Sequence, residues 1–271
     1  MYYAPYLSII RLALTFVWTS ICCLTQTLCF FLPGKYFYLI PKLYFKILLI
    51  IFGIKINSKG DEENKNILYI SNHASYLDII ILGSRLNALF VAKSEISKWP
   101  LINRVVKLGK TIFVDRKKIL DIKYQVSVLE QKLTSGINII LFPEGTSSDG
   151  SRVLPFKSSL FAVTEKKLLN HYVQPISISY TGMDGLPMCR KFLPFFAWYG
   201  NMDLAPHAWK FLGLSSCEVD LYFHKKIPFS KFNSRKDASK YCFDVISDQV
   251  TKDLNKKNRE NELNLYNAEY L

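Results

Sequence analysis

The sequence predicts an α/β protein, a mixed, mostly parallel sheet flanked by helices, with an N-terminal membrane-bound helical segment. Three observations lead there. From residue 66 onward, short Ile/Val/Leu/Phe runs alternate with longer amphipathic stretches, the pattern of strands covered on both faces. Residues 12–32 contain no Asp, Glu, Lys or Arg, a stretch long enough for a helix to cross a hydrocarbon core. A polar stretch at 57–65 reads as a linker between the two regions. The expected organisation is an anchoring segment over 1–56, an αβ domain over 57–255 and a polar tail over 256–271.

The N-terminal run ends at Pro33-Gly34, and Pro41 precedes a second apolar run, Leu43 to Ile54, which is interrupted by Lys46 and short for a span. Residues 7–54 therefore read as a helical membrane hairpin or an interfacial anchor. The first run is longer than the apolar core of a signal peptide, and no small-residue cleavage site follows it. Lys35, Lys42 and Lys46 follow the run and only Arg11 precedes it. If the segment spans, that bias places the remainder on the cytoplasmic face.

Strands are expected at 66–70, 88–92, 111–114, 137–142, 173–180 and 217–223. Pro175 suggests that its strand lies at an edge or carries a bulge. The clearest helix is 117–135, with Ile119, Ile122, Val126, Leu129 and Leu133 on one face and Gly136 as its stop. Another, at 235–254, opens with Ser234 and has Asp237 three residues later. The charged tail from Lys252 reads as a frayed helix or a disordered end.

The 271 residues can bury one large α/β core, and the formal net charge of +13 points to a polyanionic partner. Nucleic acid and an anionic membrane surface both fit the charge. The apolar N-terminus and the lack of a recognised nucleic-acid motif favour the membrane. Cys22, Cys23 and Cys29 lie in the apolar segment, while Cys189, Cys217 and Cys242 are scattered. Without a CxxC pair they read as reduced, packed thiols, and no zinc-ligand spacing is present.

The residues that can do chemistry cluster at predicted strand ends. Asn72-His73-Ala74-Ser75-Tyr76-Leu77-Asp78 follows the strand at 66–70. Positions five apart on a helix diverge by about 140°. His73 and Asp78 can meet only if His73 lies in the turn before a helix and Asp78 in its first turn. There the carboxylate would fix the imidazole tautomer and raise its basicity. Ser75, placed as an N-cap, also makes a capping box with Asp78, and that reading needs no chemistry.

Gly109 to Arg116 is a second such segment, a short strand delivering Arg116 where a guanidinium can grip phosphate. In Phe142-Pro143-Glu144-Gly145-Thr146-Ser147 a third strand delivers Glu144 to a rigid turn. Glu144 can hydrogen-bond a substrate hydroxyl or brace a basic residue there.

These blocks, followed by Val173-Gln174-Pro175-Ile176, resemble in content and order the four motifs of the glycerolipid acyltransferase family. The resemblance covers 66–180 by motif. It implies an αβ fold with an N-terminal membrane-bound helical motif. The implied reaction moves a fatty acyl group from a thioester of coenzyme A or acyl carrier protein to a lysolipid hydroxyl. His73 would be the general base and Asp78 its orienter, with no covalent acyl-enzyme, no metal and no cofactor beyond the acyl-CoA or acyl-ACP co-substrate. Arg116, Glu144 and Gly145 would hold the acceptor headgroup, with Thr146 and Ser147 as weaker candidates.

The implied acceptor is 1-acylglycerol-3-phosphate, giving phosphatidic acid on the cytoplasmic face of a bacterial inner membrane. One departure is visible: Phe156-Lys157-Ser158-Ser159 has Ser159 where the family often has glycine. The run Trp198 to Trp209 resembles a bacterial subgroup that includes ornithine-lipid acyltransferases, making lyso-ornithine lipid the alternative acceptor. His207 within it reads as a packed residue. A lipid-binding protein without catalysis is the non-enzyme alternative.

Overall fold

The computed structural model describes residues 3–29, 37–93, 108–109, 111–114, 121–166 and 170–269. Arg116 lies outside them.

Two helices lead. Helix α1 (Pro5–Cys29) and helix α2 (Leu39–Phe52) pack together, Trp18 donating its indole N–H to the Tyr44 carbonyl at 3.3 Å. α1 is long and apolar enough to cross a membrane. Much of its apolar surface meets no protein: Phe16 is 73% exposed, Leu24 71% and Leu28 82%. One end of α1, by contrast, is tied down. The sequence reading treats Arg11 as a charge flanking the apolar run. In the fold Arg11 is buried and donates to the carbonyls of Leu212 at 3.2 Å, Ser215 at 2.9 Å and Leu214. These carbonyls sit at and beyond the end of a later helix, where a cation complements the helix dipole. Ser8 donates to the Trp209 carbonyl at 2.8 Å. A Cβ on Gly213 would lie 2.7 Å from the Ser8 hydroxyl, so this close approach requires glycine.

The sheet has, among the described residues, nine strands: β1 (Ile54–Lys59), β2 (Ile67–Ser71), β3 (Ala88–Lys93), β4 (Ile112–Val114), β5 (Asn138–Leu141), β6 (Tyr172–Met183), β7 (Leu186–Pro187), β8 (Cys217–Phe223) and β9 (Ile227–Pro228). The order is β1-β8-β6-β2-β5-β3-β4, and β7 and β9 pair with β6. β6 runs antiparallel to β7, β8 and β9, and the other pairings are parallel. The mixed, mostly parallel sheet expected from the sequence is therefore present.

Alternate strand residues face two helical layers, as the period of two requires. Ile67, Tyr69, Ile176, Ile178 and Tyr180 pack with α2, with α3 (Leu77–Arg85) and with α5 (Leu204–Leu212). Leu68, Ile70, Ile139 and Leu141 pack with α4 (Asp121–Thr134) and with α6 (Arg235–Glu269). α2 and α3 approach so closely that a Cβ on Gly83 would lie 2.3 Å from the Phe45 ring.

Some expectations need correction. Asn57, Ser58 and Lys59, read as linker, form part of β1, an edge strand paired parallel with β8. Ile54 and Ile56 reach the core, while the Asn57, Ser58 and Lys59 end of the strand pairs through its backbone and keeps exposed polar side chains. Pro175 does not mark an edge, because β6 is interior. It falls between the stretch paired with β8, which begins at Ile176, and the stretch paired with β9, which ends at Val173. The missing N–H is tolerated at that break. α6 opens with the expected Ser234 cap, whose hydroxyl accepts the Asp237 N–H at 3.2 Å. It then continues to Glu269, past the predicted end at 254.

The break at Pro175 is closed by side chains. Gln174 donates to the carbonyls of Asp61 at 2.8 Å and His224 at 2.9 Å, and accepts from the Glu63 N–H. His224 Nε2 meets Ser177 Oγ at 2.8 Å. Burial pushes the His224 imidazole down to about 4, and Lys252 adds to the effect. The folded chain thus binds fewer protons at His224 than the unfolded chain between pH 6.5 and 4. Its contribution to stability is intact above 6.5 and lost as pH falls through that window. Denaturant titrations across this range should show the wild type losing stability relative to His224→Gln, with a constant difference above pH 6.5.

Candidate active site

β2 stops at Ser71 because Asn72 takes over its pairing with side-chain groups. Asn72 Nδ2 donates to the Ile178 carbonyl and Oδ1 accepts the Ile178 N–H, each at 2.9 Å. The amide extends the contact with β6 while freeing the main chain to turn. Residues 73–76 form that turn, and α3 begins at Leu77.

Asp78, in the first turn of α3, is fully buried. Its Oδ2 meets His73 Nδ1 at 2.8 Å and accepts the N–H groups of Ala74 at 2.7 Å and Ser75 at 2.9 Å. Its Oδ1 accepts the Tyr180 hydroxyl at 2.6 Å. The carboxylate thus meets the His73 ring and supplies the Asp78 half of the capping box by accepting the Ser75 N–H. The Ser75 half of the box is absent, because Ser75 Oγ is buried and makes no hydrogen bond.

A carboxylate can only accept, so His73 Nδ1 carries the proton and Nε2 presents a lone pair. Nε2 has no partner among the described residues, and the His73 side chain is 21% exposed. The ring stacks on Phe142 with centroids 4.2 Å apart and planes 23° apart, and Phe90 stacks behind Phe142 at 6.4 Å.

Glu144 is 2% exposed. Its Oε1 accepts the His73 N–H at 2.7 Å and its Oε2 accepts the Leu154 N–H at 2.9 Å. Both oxygens therefore serve the chain's own backbone. The basic partner considered from the sequence is replaced by two amides. Burial pushes the Glu144 carboxyl up to about 8, the two amide donors pull it down, and Asp78 adds a smaller upward push. Gly145 is buried at a φ of 77°, the left-handed turn that glycine permits. Thr146 is exposed. Ser147 donates to the Trp198 carbonyl.

The turn at His73 is fastened twice more. The Ser148 N–H donates to the His73 carbonyl at 2.8 Å, and the Trp198 N–H donates to the Ala74 carbonyl at 2.9 Å. His207 stands behind this turn. It is buried, donates from Nε2 to the Ala197 carbonyl at 3.1 Å and accepts the Tyr76 hydroxyl at 3.3 Å. Burial lowers its basicity, so it packs as a neutral ring, as the sequence reading held.

His73, Asp78, Glu144 and Gly145 are thus brought to one place. Tyr180, Phe90 and the supporting role of Asn72 were missed from the sequence. The signal for Tyr180 was available, because Ile176, Ile178 and Tyr180 share one face of β6, the face toward α3.

Residues 55–179 match the Acyltransferase family. A lyso-ornithine lipid O-acyltransferase of Rhizobium meliloti is 34% identical over 221 residues, 79% of this chain and 76% of that protein. A 1-acyl-sn-glycerol-3-phosphate acyltransferase of Neisseria gonorrhoeae is 32% identical over 109 residues, 40% of this chain and 43% of that protein. The crystal structure of the 1-acyl-sn-glycerophosphate acyltransferase of Thermotoga maritima superposes with a TM-score of 0.69 over 91% of this chain and 94% of that one, at 21% identity. The chain belongs to the acyltransferase family.

The bracing geometry predicts the behaviour of Glu144→Gln. Its amide retains one acceptor and aims an NH₂ at a backbone N–H. Unfolding experiments should show a loss of about 1–3 kcal/mol. Displacement of the His73 turn should lower turnover about tenfold or more.

Proposed function

We propose that this protein is a membrane-attached O-acyltransferase that moves a fatty acyl group from an acyl thioester to the hydroxyl of lyso-ornithine lipid. The observation that carries the chemistry is the His73 imidazole, held by a buried carboxylate at Nδ1 and without a partner at Nε2 among the described residues. Nε2 accepts the proton of the acceptor hydroxyl as its oxygen attacks the thioester carbonyl. The tetrahedral adduct collapses with loss of thiolate, and the imidazolium returns the proton to that sulfur. The products are an ester and a free thiol.

Asp78 keeps the tautomer correct and stabilises the imidazolium. Among the described residues no serine hydroxyl or cysteine thiol is bonded to the His73 ring, which favours direct transfer over an acyl-enzyme. The Asp78–His73 pair needs no metal or cofactor for this step, and acyl-CoA or acyl carrier protein serves as donor. α1, with its unpartnered apolar face, seats the domain on the membrane where the lysolipid resides. The basic excess favours an anionic lipid surface on the cytoplasmic side.

Extent of similarity supports this acceptor. The Rhizobium protein is matched over most of its length, the Neisseria protein over less than half. Transfer to 1-acylglycerol-3-phosphate, the acceptor favoured from the sequence motifs, is the second reading. It rests on the Neisseria relative and on Arg116 as a phosphate ligand, with Gly145 and Thr146 lining the headgroup site.

Purified protein in lipid, given a labelled acyl thioester and both acceptors in parallel, tests the proposal. Label should enter ornithine lipid. Label only in phosphatidate would reassign the acceptor, and Arg116→Ala should then impair transfer. His73→Ala, with the fold retained, and Asp78→Asn, with some loss of stability, should each reduce transfer about 100- to 10,000-fold. Transfer that survives His73→Ala would refute the mechanism.

A further inference from the structure

Resting on the roles given above to His73 and Asp78, we propose that Tyr180 is a positioning residue for acyl transfer. Its phenol fixes the plane and charge of the Asp78 carboxylate, and through it the His73 imidazole.

Three of the four donors on Asp78 converge on Oδ2, and two of these are main-chain amides of the same turn. With all its donors on one oxygen, a carboxylate keeps rotational freedom about its Cβ–Cγ bond. The Tyr180 hydroxyl is the only partner of Oδ1 among the described residues, and at 2.6 Å it is the shortest bond in the set. It stops that rotation and orients Oδ2 toward the ring.

The phenol is itself rigidly placed. Tyr180 is 2% exposed, and its ring stacks on Phe196 at 5.9 Å with planes 23° apart. It lies on β6, the strand beside β2, whose end delivers His73. The register with β8 shifts between Tyr180 and Gly182, a bulge at the point where the side chain must reach under α3.

The hydroxyl also acts on charge. Among the described residues neither Lys nor Arg pairs with Asp78, so its charge is neutralised only by hydrogen-bond donors. Removing the phenol O–H concentrates charge on Oδ2, tightens its hold on the imidazolium and raises the proton affinity of the pair. The other titratable groups in electrostatic reach are Glu144 from the turn after β5, Tyr76 before α3 and Cys217 on β8.

The test compares Tyr180→Phe with Phe196→Leu, which disturbs the same packing but keeps the hydroxyl, and with His73→Ala. Full-length protein in lipid is assayed with labelled palmitoyl-CoA and palmitoyl-ACP and both acceptors. The His73 titration is followed independently by NMR of histidine-labelled protein. For Tyr180→Phe, kcat should fall about tenfold with KM nearly unchanged. The acid limb of the pH–rate profile and the His73 titration should both move up by about half to one pH unit. Phe196→Leu should lose stability without moving either.

An unmoved His73 titration in Tyr180→Phe would overturn the proposal, whatever the activity, because a structural role predicts that result. Retained transfer in His73→Ala would instead overturn the underlying mechanism, a separate outcome.

Discussion

The Asp78 carboxylate is buried, and among the described residues no Lys or Arg pairs with it. An ionised group taken out of water is tolerated only where donors replace its hydration. Here the donors are an imidazole, two amides of one tight turn and a phenol from a neighbouring strand. Satisfying them together requires β2 to end at Ser71, α3 to begin at Leu77 and β6 to present Tyr180 at one height. One electrostatic demand thereby fixes three elements relative to one another. The cost of leaving any donor unpaired keeps them there.

Glu144 is a second buried carboxyl that accepts main-chain amides, from the other side of the turn. It reaches across from the end of β5 to the His73 N–H and ties it to Leu154. Asn72, Ser148 and Trp198 complete a frame that ties residues 72–74 to β6, to the turn after β5 and to the segment before α5. Among the described residues the imidazole keeps one nitrogen without a partner, and one of its faces stacks on Phe142. In the proposed role of base, this imidazole would be oriented before substrate arrives, leaving little reorganisation for the chemical step.

The N-terminal helices combine two environments. Arg11 and Ser8 anchor the start of α1 to the backbone around α5, while Phe16, Leu24 and Leu28 face outward. α2 contributes Leu48 and Phe52 to the core beneath the same sheet. An apolar surface fixed to the domain in this way would, in the proposed membrane-attached state, hold His73 at a set orientation to the lipid layer.

The residues themselves determined much of this. Apolar runs marked the interior strands, because covered strands need continuous hydrophobic sequence. Gly136 marked the end of α4, and Ser234 with Asp237 the start of α6, because caps are local chemistry. His73 and Asp78 were legible as a pair because they belong to one turn and their meeting needs no distant contact.

Tertiary structure decided what depends on backbone pairing or on residues far apart in the chain. The Asn57–Lys59 end of β1 was invisible because an edge strand can pair through main-chain groups and leave its side chains polar. Pro175 could sit in an interior strand only because two partners meet at a gap there. Arg11 lies some two hundred positions from the carbonyls it caps, Glu144 bonds amides rather than a base, and Tyr180 reaches Asp78 across a hundred residues. Local pattern records propensity and periodicity. It does not record which buried acceptor a distant donor will satisfy, since that is fixed only when the sheet order brings the two together.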